Sequence, residues 1–304
     1  MKETAQNIAK ISSVRELHAF MGLPSPLNPF ITIIDHSQTQ NKNQPPHQKL
    51  ILDFYNVSIK RSFKGKLKYG KKYYDFDDGT MSFIAPNQII SVDGQQDRNN
   101  DGWSLLFHPD LIRQYPLGKS IKSYGFFSYE ANEALHLSSE EEKTIEAIIQ
   151  NIQKEINARL DNFSQGVIVS NLELLLNYCN RFYGRQFITR KMATNDLLIK
   201  FEIILGNYFT DDSDAPLPTV ERLATELNVS SSYLSDMLRN LTGQNTQQHI
   251  HERLIEKAKG ILTTSNLTVS EIAFQLGFAY SQSFSKLFKS KTNLTPLEYR
   301  NSFN

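Results

Sequence analysis

The period of the apolar positions changes once along this chain. Between about residues 30 and 130 they come in short runs rich in β-branched and aromatic residues: ITIIDHS (31–37), LILDFYNVSI (50–59), MSFIAP (81–86), GWSLLFH (102–108) and YGFFSY (124–129). Clusters of Gly, Asn and Asp, such as DFDDGT and DGQQDRNNDG, separate the runs. Short strands spaced by turns predict a sandwich or barrel. Pro24, Pro26 and Pro29 set a short amphipathic start apart from them. From residue 139 the apolar positions recur every three to four residues. SSEEEKTIEAIIQNIQKEINARL opens with Ser139 and Glu142 at capping-box spacing and carries Ile145, Ile148, Ile149, Ile152 and Ile156 on one face. Further helices are predicted over about 165–184 and 195–209. Their apolar stripes are expected to pack on the sheet domain or on a second subunit. TDDSDAPLP (210–218), acidic and holding two prolines, reads as a linker before an all-helical remainder.

That remainder contains a repeat. Val220, Leu223, Ala224, Leu227 and Val229 recur as Val269, Ile272, Ala273, Leu276 and Phe278 at an offset of 49. Leu234, Met237 and Leu238 recur as Phe284, Leu287 and Phe288 at an offset of 50. Each copy reads as a helix, a turn and a second helix. Gly277 suits the second turn, because glycine adopts positive φ without a Cβ clash. Thr219, after Pro218, is predicted to cap the first copy, and Thr268 with Glu271 the second. Between the copies, NTQQHIHERLIEKAKGIL (245–262) carries Ile250, Leu254, Ala258, Ile261 and Leu262 on one stripe. A bridging helix of roughly seventeen residues would be about 25 Å long. With the flanking helices added, the two second helices are expected on the order of 34 Å apart, one turn of duplex DNA.

This geometry points to the second helix of each copy as the one that enters a major groove. In the second copy it offers Ser281, Gln282, Ser283, Ser285, Lys286 and Lys289; in the first, Ser231, Ser232, Ser235, Asp236 and Arg239. Gln282 suits adenine, Lys286 suits guanine, and the serines suit bases or phosphates. Asp236 cannot pair guanine and would face phosphates unfavourably, although it can accept from cytosine N4. The competing reading is a purely structural helical domain. Two copies joined by an amphipathic helix weigh against it.

Composition adds little to this picture. The chain has 304 residues, 39% of them apolar, enough for two domains. Residues 1–215 hold 24 Lys/Arg against 25 Asp/Glu, and residues 216–304 hold 9 against 7. The tail is only mildly basic, so a nucleic-acid reading rests on geometry before charge. A single cysteine, Cys179, excludes an internal disulfide and a cysteine-based zinc site, and its apolar neighbours suggest packing. No apolar run of eighteen residues and no signal-peptide core are present, so a cytoplasmic protein with no membrane partner is expected. His36, His47 and His108 do not cluster as ligands; no metal, other cofactor or enzymatic centre is expected. Seven basic residues in KRSFKGKLKYGKK (60–72) read as edge lysines on a solvated strand and turn. Phe54, Tyr55, Phe83 and Trp103 read first as core, with a small-molecule site as the lesser reading.

Residues 216–302 resemble the DNA-binding domain of the AraC/XylS family of bacterial transcription regulators. The resemblance rests on VERLATELNVSSSYLSDMLRNLTGQNTQQHIHERLIEKAKGIL, VSEIAFQLGFAYSQSFSKLFK and LTPLEYR. GTMSFIAPNQ followed by WSLLFHPDLI is similar to the cupin-like N-terminal domain of these regulators, and LLLNYCNRFYGRQF to their dimerisation segment. The resemblance implies an α+β fold: a cupin-like β-barrel over 1–137 for sensing or regulation, a helical dimerisation segment over 138–209, the linker, and two helix–turn–helix subdomains over 219–304. It implies promoter DNA as partner, with RNA polymerase, a second copy of the chain and a small-molecule effector as further expected partners. A basic or amide residue is common in the family where Asp236 stands. A cupin-type binder or enzyme with an accessory helical tail is the alternative.

Overall fold

The computed structural model describes residues 8–38, 48–61, 66–69, 72–75, 79–92, 101–129, 133–159, 161–189, 191–209 and 217–303. They divide into two units, Met1–Thr189 and Arg190–Asn304. In the first unit ten strands form two five-stranded sheets. One has the order β1 (Ile8–Ile11), β3 (Gln48–Leu52), β8 (Ile89–Val92), β5 (Lys66–Tyr69), β6 (Lys72–Asp75), with β1 parallel to β3 and the other pairs antiparallel. The other is antiparallel throughout, in the order β10 (Leu135–His136), β7 (Thr80–Ile84), β4 (Tyr55–Arg61), β9 (Asp101–Phe107), β2 (Ile31–Asp35). The expected barrel is thereby corrected: among the described residues the sheets do not close, and β2 and β10 end the second sheet.

Two local readings change for physical reasons. LILDFYNVSI is two strands in different sheets, broken at Asp53 and Phe54. Phe54 joins a core with Ile34, Leu52, Ile84 and Leu106 beneath helix α1 (Val14–Met21), which supplies Val14 and Leu17. YGFFSY forms a 3-10 turn over Gly125–Ser128 instead of a strand. Its Phe126 and Phe127 rings both pack on Phe83, at 4.5 and 5.9 Å between centroids. Filling one aromatic corner overrides the strand preference of the run.

Alternation divides the second sheet into two faces. Tyr55, Phe83 and Trp103 lie on its helix side: Tyr55 stacks on Phe107, Phe83 meets Tyr183, and the Trp103 indole donates to Glu146 at 2.7 Å. They act as core. On the opposite face Ser58 and Ser82 share a 2.8 Å hydroxyl pair, and His36 Nε2 meets Ser104 Oγ at 2.7 Å. Burial pushes the His36 imidazole down to about 4. His108 caps the short helix α2 (Pro109–Ile112), its Nδ1 accepting from the Asp110 amide; α3 (Pro116–Ser120) follows.

The helices α4 (Ser139–Asn157) and α5 (Ser164–Thr189) cover this sheet. All five predicted isoleucines of α4 are buried. Its capping box uses Ser138 and Glu141, one residue before the predicted pair; Glu141 also binds Arg185, and Glu142 with Glu146 binds Arg61 of β4. Cys179 is buried on α5, which pushes its thiol up. Gln186 of α5 accepts from the His136 amide at 2.9 Å and donates to Ala134 O at 3.1 Å, satisfying the β10 edge.

No helix among the described residues is long and apolar enough to cross a membrane. Among the same residues no three His, Cys, Asp or Glu side chains gather as metal ligands. His47, the core of the basic run at 62–65 and linker residues 210–216 lie outside the described residues.

Candidate nucleic-acid interface

The second unit is helical. It starts with α6 (Lys191–Asn207), so α4 and α5 belong to the first unit and α6 to the second. Helix α7 (Val220–Glu226) carries the predicted Thr219 cap, whose Oγ1 accepts from the Arg222 amide at 3.2 Å. Then come α8 (Ser231–Thr242), the bridge α9 (Thr246–Thr264), α10 (Val269–Gln275), α11 (Ser281–Thr292) and α12 (Pro296–Asn301). Helix α6 leans on the first copy and the bridge. Arg253 Nη2 binds Glu202 at 2.7 Å, the Phe201 ring meets His249 edge-on, and Arg222 sits 5.2 Å over the Tyr208 ring.

The two turns match bond for bond. In the first, Val229 N donates to Ala224 O at 3.0 Å; in the second, Phe278 N donates to Ala273 O at 2.9 Å. The positive-φ position is Asn228 (57°) in one and Gly277 (77°) in the other. At the ends of α8 and α11 the exchange is reversed, with Gly243 (80°) answering Asn293 (62°). Both residue types tolerate this region, so each copy spends one glycine and one asparagine on it.

The repeat also runs further than the sequence alignment suggested. Thr242 Oγ1 donates to Leu238 O, and Thr292 Oγ1 to Phe288 O, both at 2.8 Å. Asn245 with Gln248 then caps α9 as Thr295 with Glu298 caps α12. Each copy is therefore three helices, and α9 is the third helix of the first. The signal available in the sequence was the pair TGQNTQQ and TNLTPLE.

Packing holds α8 and α11 firmly. Phe284 and Phe288 of α11 are fully buried among Leu254, Ala258 and Leu262 of α9 and Ile272 and Ala273 of α10. Each such ring contributes about 1.5–3 kcal/mol by burial. Leu234, Met237 and Leu238 do the same for α8. Arg300 of α12 closes the second copy by donating to Leu262 O at 3.0 Å and Leu267 O at 2.7 Å.

On α11, Gln282, Ser283, Lys286 and Lys289 are exposed, and Ser281 and Ser285 are half-buried beside them. Gln282, Ser283, Lys286 and Lys289 share the outer side, opposite Phe284 and Phe288, whereas Ser281, three residues before Phe284, lies towards the packed side and Ser285 at its border. Lys291, outside the predicted set, is exposed on the other side of α11, two turns beyond Phe284 and towards α9. Its charge, after burial, lowers the pKa of His251 on α9, which is hydrogen-bonded to Gln247 at 2.8 Å. On α8 the predicted residues divide. Ser231 and Ser232 are half-buried, and Arg239 is exposed. Ser235 turns inward, its hydroxyl 3.0 Å from that of the buried Thr246 on α9. Asp236 binds Arg239 at 2.7 Å. Pro296 stands where Thr246 stands in the first copy, so it offers Ser285 no hydroxyl.

A model of a helix-turn-helix domain family matches residues 223–302. The chain is similar to an uncharacterized HTH-type transcriptional regulator in the cgkA 5′ region of Pseudoalteromonas carrageenovora, 33% identical over 33% of this chain and 55% of that protein. It is also similar to the uncharacterized HTH-type transcriptional regulator YijO of Escherichia coli K12, 24% identical over 75% of this chain and 77% of that protein. The solved C-terminal domain of the two-component response regulator yesN from Fusobacterium nucleatum is 32% identical, with a TM-score of 0.30 over 33% of this chain and 96% of that one. Of three curated relatives that it matches, the chain spans 10%, 77% and 55% of the other protein's length.

Proposed function

Because the chain belongs, through this helix–turn–helix domain, to the AraC/XylS family of transcription regulators, we propose that it is a sequence-specific DNA-binding transcription regulator whose α8 and α11 enter successive major grooves. The observation that carries this reading is the outer side of α11: Gln282, Ser283, Lys286 and Lys289 exposed over a buried Phe284–Phe288 base. An amide and an ammonium on a helix fixed from behind can meet base edges without a large ordering cost. Lys289, exposed one turn beyond Lys286, lies beside a phosphate in this arrangement and favours entry. The nineteen residues of α9 give the bridge a length of about 28 Å, in keeping with reading heads one duplex turn apart.

In the same proposal the first unit is a cupin-like sensory or regulatory module, and RNA polymerase and an effector are its further partners. Helices α4 and α5 supply self-association. Val167 and Leu174 support that last part, since they are exposed along one stripe of α5, with Phe163 exposed just before the helix.

The test is selection of bound duplexes from a random pool at defined salt. A defined sequence with two parts about one turn apart is expected. Lys286→Ala should weaken binding to it by about 1–3 kcal/mol and relax preference in one part. Equal binding to every duplex, or to none, overturns the proposal.

A further inference from the structure

We propose that Asp236 is a positioning residue which holds Arg239 for guanine recognition, so that α8 reads its groove through one oriented guanidinium. This inference rests on the DNA-reading role proposed above and gives it a specific chemistry in the first copy.

A carboxylate on the groove-facing side of a reading helix is a problem taken by itself. It repels phosphates and can accept only from exocyclic amines, that of cytosine N4 first among them. Here its partner is on the same helix. Arg239 lies one turn further along α8 and bonds Asp236 Oδ1 through Nη1 at 2.7 Å. The pairing neutralises the carboxylate. It also draws the guanidinium back towards the helix N-terminus, the end that enters the groove in this docking mode. Bonding through Nη1 leaves the Nε–Nη2 edge of the guanidinium, which can bond guanine O6 and N7 together. The Arg239 side chain keeps 54% of its exposure.

One further predicted reader of this helix, Ser235, is withdrawn, because its hydroxyl is engaged with Thr246. The second copy is built differently. At the positions of Asp236 and Arg239 it has Lys286 and Lys289, two cations with no carboxylate between them on that side. The copies are thus unequal: α11 carries the charge, and α8 carries one braced fork.

The full chain and its Asp236→Ala, Asp236→Asn, Arg239→Ala and Lys286→Ala variants are each put through selection from a random duplex pool. They are then titrated against the selected duplex and a scrambled one. Lys286→Ala identifies the half-site of α11, and the other half belongs to α8. A guanine is expected in the α8 half. Arg239→Ala should lose it, with about a ten- to hundredfold drop on the selected duplex. Asp236→Ala should lose the same guanine preference while binding the scrambled duplex more tightly, since a negative charge has gone. Asp236→Asn keeps an acceptor for Arg239 and should retain part of the preference. A lost fold would lower both affinities together and shows in the melting curve; the opposite signs on the two duplexes do not arise that way.

Asp236→Ala with its guanine preference intact, or a uniform gain on both duplexes, overturns the positioning role while leaving the regulator reading in place. An α8 half-site without guanine does the same. A wild-type chain that selects no sequence overturns both.

Discussion

Ser235 on α8 and Thr246 on α9 share a hydroxyl pair 3.0 Å long, with Thr246 wholly buried. The contact closes the first copy against the bridge and removes a hydroxyl from the groove side. Ser235→Ala is therefore expected to leave base preference unchanged and to cost about 1 kcal/mol of stability, the value of one such bond with its partner left buried. Urea unfolding and a binding titration together check this. A changed base preference with unchanged stability would return Ser235 to the reading set.

The two left-handed turn positions should respond differently to substitution. Gly277 has φ of 77°, and a Cβ there would lie 3.2 Å from Leu217 Cγ and Cδ1. Gly277→Ala is expected to lower stability by more than about 1 kcal/mol, from backbone strain and from displacing Leu217. Asn228→Gly, at the equivalent position of the first copy, is expected to be close to neutral. Thermal melting of the two variants in parallel decides it.

Arg300 ties α12 to the end of α9 through two carbonyls. Replacement by Met removes both charged hydrogen bonds and is expected to cost about 1.5–3 kcal/mol. Amide exchange should quicken over 265–268 before it quickens in α7 and α8. Lysine at this position lacks the planar fork and should rescue little.

Acid should loosen the second copy through its caps. Backbone and side-chain hydrogen bonds at Thr268 and Thr295 hold the Glu271 and Glu298 carboxyls below their ordinary 4.5. A lowered folded-state pKa means that the stabilisation is complete above the unfolded value and is lost as pH falls through the folded one. Helical signal is expected to hold to about pH 4.5 and then decline in the wild type. A Glu271→Gln, Glu298→Gln variant should lose that part of the decline in a pH series followed by circular dichroism.

Much of the helical tail was legible because its residues repeat. Ala224 and Ala273, Leu234 and Phe284, and the Thr219 and Thr268 caps all stand at the predicted places. Asn228 and Asn293 were not legible as turn residues, since asparagine occurs in many conformations and only its exchange with Gly277 and Gly243 gives it away. The α4 cap was ambiguous in itself. Two serines followed by three glutamates offer two boxes of the same spacing, and each candidate glutamate also meets an arginine distant in sequence, Glu141 with Arg185 and Glu142 with Arg61. YGFFSY misled for a similar reason, because Phe83 recruits its rings into a corner that no local pattern announces. On the interface, exposure of Gln282 and Lys286 followed from the helical period. The inward turn of Ser235 and the Asp236–Arg239 pair depended on neighbours that the period does not show.

Helix α9 belongs to both copies: Thr246 and Ile250 close the first, and Leu254, Ala258 and Leu262 close the second. An α-helix advances about 100° per residue. Adding or deleting one residue between Ile250 and Leu254 would swing one head through roughly a quarter revolution against the other, even with every side chain intact. Phase returns only after three or four residues, a step of about 5.4 Å, or close to one and a half base pairs. The gap between the two halves of a cognate site can thus drift only in discrete jumps, which makes spacing a far more stubborn trait of such a chain than its choice of bases.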